Sequence, residues 1–154
     1  MDGYDGGMFL TLLSLLSAEP AQPPHRFVFL GAGRFAQYAD MASLQPDGSG
    51  GRVRVFQVVE PEFSAGGAAY WGGWSWWRFD CDAGGKVDRL DFASVREGGA
   101  EGPATPDDAP AYEAVQGGDA FEILVAACNP DDYATDATTL EAAVAHGRTQ
   151  LAIN

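Results

Sequence analysis

The feature that most constrains this chain is a pair of cysteines, each closing an apolar run of a different kind. Cys81 ends Trp74-Ser75-Trp76-Trp77-Arg78-Phe79-Asp80. As a strand, that run puts Trp77, Phe79 and Cys81 on one face and Trp74, Trp76, Arg78 and Asp80 on the other. Cys128 ends Phe121-Glu122-Ile123-Leu124-Val125-Ala126-Ala127. A bridge between them would stabilise the fold by roughly 4 kcal/mol in the chain-entropy account. The alternative is two buried free thiols in a cytosolic chain. There is no Cys-x-x-Cys pair, so zinc and dithiol redox chemistry have no motif to rest on, and no cofactor or metal is expected.

Charge narrows the partners. The chain has 154 residues and a formal net charge of −13, with a pI near 4.2. Such a field repels phosphate backbones and anionic membrane surfaces, so no nucleic-acid partner is expected. No Lys or Arg stands between Arg96 and Arg148. That stretch reads as a solubilising surface or as a docking face for a basic partner.

The N-terminus suggests export. Met8 to Ala18 is apolar and is followed by Glu19-Pro20-Ala21-Gln22-Pro23-Pro24. This has the length of a signal-peptide core and is too short for a stable membrane span. Asp2 and Asp5 replace the usual positive start, and Leu16 stands where a small residue is preferred before a cut at Ala18. A start at Met8 would remove the acidic residues. The alternative is a buried N-terminal helix. The expected layout is an export signal and Pro-rich linker over 1–24, a β-rich domain over 25–130, and a C-terminal tail over 131–154 with helical potential.

Within the domain, Arg26 to Leu30 is a short apolar run, and Phe35 to Asp40 a second short segment. Gln45-Pro46-Asp47-Gly48-Ser49-Gly50-Gly51 is a turn by composition. Arg52 to Glu60 alternates in part and is β-branched, which predicts a strand. Pro61 to Gly73 reads as a glycine-rich connection. Asp82 to Gly85 predicts a hairpin turn, with Lys86 to Arg96 as the partner strand. Glu97 to Gly118 reads as a long mobile loop. Asp119 with Glu122 resembles a capping pair for a helix ending near Cys128. A last helix over Thr138 to Leu151 would share a face of Leu140, Val144 and Leu151. The fold class is therefore α+β, an antiparallel meander with a packed C-terminal helix and one disulfide.

Three motifs carry chemistry. Gly31-Ala32-Gly33-Arg34-Phe35-Ala36 after an apolar run fits a dinucleotide fingerprint, whose backbone amides would cradle pyrophosphate at a helix start. Turn glycines between strands are the competing reading, because no further βαβ alternation follows. Trp74 and Trp76 are candidate binding residues, since tryptophans on an exposed strand face can anchor a protein partner or stack on sugars; the competing reading is that the tryptophans fill the core of a small sheet. Asp131-Asp132-Tyr133-Ala134-Thr135-Asp136 lacks the spacing of a calcium loop. His25 and His146 have no nucleophile beside them in sequence, and no enzyme activity is expected.

The ordered set Tyr38-Ala39-Asp40-Met41-Ala42-Ser43-Leu44, Pro46-Asp47-Gly48, Val53-Arg54-Val55-Phe56, Trp77-Arg78-Phe79-Asp80-Cys81 and a late helix ending at Cys128 resembles the surface-adhesin protein E family of exported bacterial proteins. The resemblance covers roughly residues 26 to 130. It implies an antiparallel sheet with a packed helix, one disulfide, and a place in the periplasm or on the outer surface. Characterised members of that family bind host proteins. No cysteine follows the apolar core here, so a periplasmic or secreted form without a lipid anchor is expected. The functional expectation is a non-catalytic envelope protein that binds a protein partner. Its alternatives are a secreted inhibitor-like protein docking to a basic enzyme and a cytosolic nucleotide-binding protein using Gly31 to Ala36.

Overall fold

The computed structural model describes residues 24–82 and 84–154. The apolar stretch Met8 to Ala18 lies outside them. The fold is α+β: an antiparallel sheet with a helix on each face and a disulfide between Cys81 and Cys128.

Four strands form the meander. They are β1 (Phe27–Ala32), β2 (Ala36–Asp47), β3 (Gly50–Val58) and the long β5 (Ala68–Asp80). The β2–β3 turn is Gly48-Ser49, with Gly48 at φ 59°, the conformation a two-residue hairpin asks of its first central residue. Between β3 and β5, the two-residue β4 (Ser64–Ala65) folds back onto the start of β5.

β5 begins inside what reads as a glycine-rich connection, and its glycines are there for close approach. A Cβ on Gly72, at φ 153°, would sit 1.8 Å from the Gln57 carbonyl oxygen. Only glycine lets β3 and β5 pair at that point.

The expected single strand after Gly85 is two. β6 (Lys86–Arg89) pairs with Trp77–Phe79, and β7 (Asp91–Arg96) pairs with Tyr70–Trp74. Leu90 stands between them, with its N–H donating to the Trp76 carbonyl at 2.8 Å. Asp91 Oδ1 then accepts the Trp76 N–H at 2.8 Å, so the interruption leaves no unpaired amide on Trp76.

The expected loop over 97–118 is tied to the sheet rather than free. β8 (Thr105–Pro106) pairs with β7 and β9 (Tyr112–Glu113) with β6. Arg89 Nε donates to Asp107 Oδ2 at 2.8 Å, which pins the segment between these short strands.

Alternation gives the sheet two apolar faces, and both are covered. On the first, Val28, Ala39, Val53, Val55, Trp77 and Phe79 pack under Ile123, Leu124, Ala126 and Ala127 of α1 (Asp119–Cys128). Gly118, not Asp119, is the N-cap residue, and it makes no side-chain cap; Asp119 and Glu122 lie inside the first turn, where they complement the helix dipole. On the second, Phe27, Tyr38, Phe56, Val58 and Trp74 pack under Ala143 and Val144 of α2 (Leu140–Ala152). Thr139 caps α2, accepting the Ala142 N–H at 3.1 Å.

The segment expected to be a tail therefore completes the second core, to which it gives Ala137, Ala143 and Val144. Burial of an aliphatic side chain such as Val144 contributes about 1.5–3 kcal/mol. α2 approaches closely because residue 147 is glycine: a Cβ there would meet Val58 Cγ2 at 2.9 Å and Tyr38 Cε2 at 3.1 Å.

The segment between the helices also closes the β1 edge. Phe27 exchanges backbone hydrogen bonds with Asp136 and Ala137, and the Phe29 N–H donates to Asp136 Oδ2 at 2.7 Å. Arg26 donates to the carbonyls of Pro130 and Tyr133 and to Thr135 Oγ1.

Candidate functional site

The tryptophans of β5 divide between core and surface, but not as alternation alone suggests. Trp74 is only 3% exposed. Its ring stacks on Phe27 at 5.7 Å and meets Phe56 edge-on at 4.9 Å, with the His25 ring 5.8 Å away. It is a core residue, which corrects its expected place at the surface. Trp76 lies beyond the reach of these rings and stays half-buried. The Arg52 guanidinium sits over its ring at 4.7 Å, and Arg54 sits over Trp74 at 4.3 Å. Arg54 also pairs with Glu101.

Arg78 is largely exposed, 3.5 Å from Asp88. Arg52, Arg54 and Arg78 are three of nine basic residues in an acidic chain, gathered on one open half-face. The strip leads into a hollow of about 620 Å³ by the β2–β3 turn, lined by Arg52, Arg78, Lys86 and Asp80. Backbone donation from Asp82, followed by the Ser49 hydroxyl, holds the Asp80 carboxyl below its ordinary range.

The opposite face has its own opening. α1 covers only part of it, and the uncovered rows form a groove. Gln37, Gln57, Gly73 and Ser94 stand in register across β2, β3, β5 and β7, a row of polar or absent side chains at the groove floor. One reach of about 800 Å³ is walled by Phe35, Phe63, Tyr70 and Phe92. A second of about 430 Å³ runs to Trp77, Tyr112 and the start of α1, and shares Gln57, Arg89 and Asp107 with the first. Gly73 is required here: a Cβ would lie 2.4 Å from the Phe92 ring that rests over it.

Gln37 is 5% exposed, and its Nε2 has no hydrogen-bond partner among the described residues. Asp107 is held below its ordinary range by the Ala109 N–H first and Arg89 second. Burial pushes the Tyr112 hydroxyl up. Sequence reasoning missed this groove. The signal available was a glutamine on an otherwise apolar strand face, at residue 37 and again at residue 57.

The other expected centres are structural. Gly31 to Ala36 forms the β1–β2 hairpin, and the chain enters a strand rather than a helix, so no helix N-terminus faces those glycines. The dinucleotide reading lacks its geometry. His25 Nδ1 lies 2.7 Å from Asp40 Oδ2, whose carboxylate also accepts the Arg26 and Ala42 N–H groups. Tyr38 is fully buried, and burial first and Asp136 second push its hydroxyl well above the ordinary range. It stays protonated and lies 2.6 Å from His146 Nδ1.

Asp131 to Asp136 forms a short 3-10 turn and the clamp on β1. Among the described residues no group of His, Cys, Asp or Glu is placed to hold a metal ion, and no helix is long and apolar enough to cross a membrane. Of the five acids between 97 and 118, Glu101 and Asp107 pair closely with Arg54 and Arg89, and Glu97 lies 3.9 Å from Arg148. Asp108 and Glu113 remain exposed.

Comparison with family models, with curated proteins and with solved structures finds no match for this chain.

Proposed function

We propose that the chain is a non-catalytic binding module of the cell envelope, periplasmic or secreted, which meets a protein partner through the strip centred on Trp76. The observation that carries this reading is the accessible tryptophan stacked under Arg52 and flanked by Arg54 and Arg78. Aromatic and arginine side chains held rigidly on a strand lose little conformational freedom on binding and recur at the energetic centres of interfaces. The disulfide supports a compartment outside the reducing cytosol. The motif order shared with the surface-adhesin protein E family supports the same compartment and a protein ligand. Exposed guanidiniums beside Trp76 favour a partner segment that carries carboxylates. The second reading is an inhibitor-like role on a basic enzyme, favoured by the net charge of −13 and by exposed Asp108 and Glu113.

The test has two arms. Intact mass from fractions of the native host, with alkylation before and after reduction, should find the chain in the envelope or medium with no thiol free until reduced. A photo-crosslinking residue at position 76 should give an adduct with an extracytoplasmic protein, and one at exposed position 141 should not. A cytosolic chain with two free thiols would sink the reading. Adducts at 141 but none at 76 would move the interface away from the strip.

A further inference from the structure

The geometry points to a small-molecule site in the groove beside α1, taking an uncharged molecule with an aromatic or aliphatic body and one carbonyl-type hydrogen-bond acceptor. The site is independent of the Trp76 strip, which lies on the other face of the sheet.

Three observations define the ligand. First, size: the larger reach of about 800 Å³ falls within the range of small-molecule clefts. Second, polarity: Phe35, Phe63 and Phe92 give an apolar wall, while the floor row supplies few polar groups, the pattern of a site that binds by burial and orients by one or two hydrogen bonds. Gln37 is the orienting group; it lines the smaller reach of about 430 Å³, beside Gln57, which the two reaches share, so the ligand would extend from the phenylalanine wall into that reach. A side-chain amide 95% buried with an unpaired N–H pays the cost of desolvation with nothing in return, a cost of order 1–3 kcal/mol that folded proteins rarely leave standing. An acceptor on a bound molecule would relieve it.

Third, charge: the two reaches are lined by Asp107, Asp108 and Asp119 against one guanidinium, Arg89, already bound to Asp107, while Asp88 turns to Arg78 on the other face. That balance repels anions, so fatty acids and phosphorylated ligands are disfavoured. The uncapped start of α1 does not reverse it, because Asp119 and Glu122 stand in its first turn.

The probe is prodan, an uncharged naphthyl ketone whose emission reports its surroundings, compared with the anionic dye anilinonaphthalene sulfonate. Titration of the folded chain should give saturable one-to-one binding with blue-shifted prodan emission, and weaker binding of the anion. Gln37→Leu removes the donor and should weaken prodan about tenfold, the loss of one buried hydrogen bond. That variant should melt at or above the parent temperature, because it also removes the unpaired amide. Phe63→Ala, at an exposed position on the rim, should weaken binding about fivefold without affecting folding. Trp76→Ala should leave prodan binding unchanged while abolishing any partner contact at the strip.

No saturable prodan binding, tighter binding of the anion, or equal affinity in the parent and both groove variants would each overturn the proposal. Should Gln37→Leu fail to fold, Phe63→Ala and the charge preference decide alone.

Discussion

Removing the disulfide has a size that the structure sets. Cys81 and Cys128 are 47 residues apart in sequence, and their Cα atoms are 5.8 Å apart. In the chain-entropy account, closing a loop of that length lowers the entropy of the unfolded ensemble enough to stabilise the fold by about 4 kcal/mol at 25 °C. The bridge fastens the end of β5 to the end of α1, so native contacts such as Ile123 against Val55 and Phe79 keep their geometry when it is broken. The loss therefore falls mainly on the unfolded state. For a domain of this size the melting point should drop by roughly 12–20 °C.

Cys81 is exposed, so mild reductant reaches the bridge without prior unfolding. Urea titrations of the oxidised parent, the reduced parent, Cys81→Ala, Cys128→Ala and the double variant should give two levels only. Either single substitution opens the loop, so the second adds almost nothing, and the cycle should show a coupling nearly equal to each single effect. Single variants that lose less than about 1 kcal/mol, or whose effects add, would refute the entropic reasoning and leave the bridge a surface decoration.

Other perturbations test the packing and the ionisation. Gly72→Ala should cost more than about 3 kcal/mol in urea, because its Cβ would displace the Gln57 carbonyl at the β3–β5 pairing. Gly147→Val should cost about 2 kcal/mol by lifting α2 off Val58 and Tyr38, and hydrogen exchange should rise in α2 before it rises in α1. Asp107 has a lowered carboxyl pKa in the fold, so its contribution is present above the ordinary value of 3.8 and is lost as pH falls through the folded value. Melting temperatures of the parent should therefore fall more steeply between pH 5 and about 2 than those of Asp107→Asn. Equal slopes would show that Arg89 and the Ala109 amide do not hold that charge.

The parts of the fold legible in the sequence are those that local chemistry fixes. The Gly48 hairpin, the strand to Cys81, the helix to Cys128 and the final helix all announce themselves by turn residues, alternation or periodicity. The parts that were not legible depend on contacts between distant segments. Gly72 and Gly73 look like loop residues until β3 and Phe92 are brought against them. Glu97, Glu101 and Asp107 look free until Arg148, Arg54 and Arg89 arrive from α2 and the sheet.

Trp74 and Trp76 share one strand face, and sequence alternation treats them alike. Rings brought in from His25, Phe27 and Phe56 bury Trp74, and none of them reaches Trp76, which stays half-buried. The groove is the extreme case, because its floor is a row of four residues from four strands and exists only in their register. Gln37 and Gln57 carried the one hint, as amides on an otherwise apolar strand face.

The clamp on β1 has a consequence for how such a chain could mature. The outer edge of β1 is closed by Asp136 and Ala137, and the second core is completed by α2, more than 100 residues after β1 is made. Until those late residues arrive, β1 has an open edge and Tyr38, Phe56 and Trp74 have no lid. A sequence whose first strand must wait for its last helix folds late, since the loop-closure cost falls before the burial is gained. For a chain threaded through a narrow translocation channel, that delay is protective: emerging segments stay pliable until the whole is delivered, and closure then comes in one step.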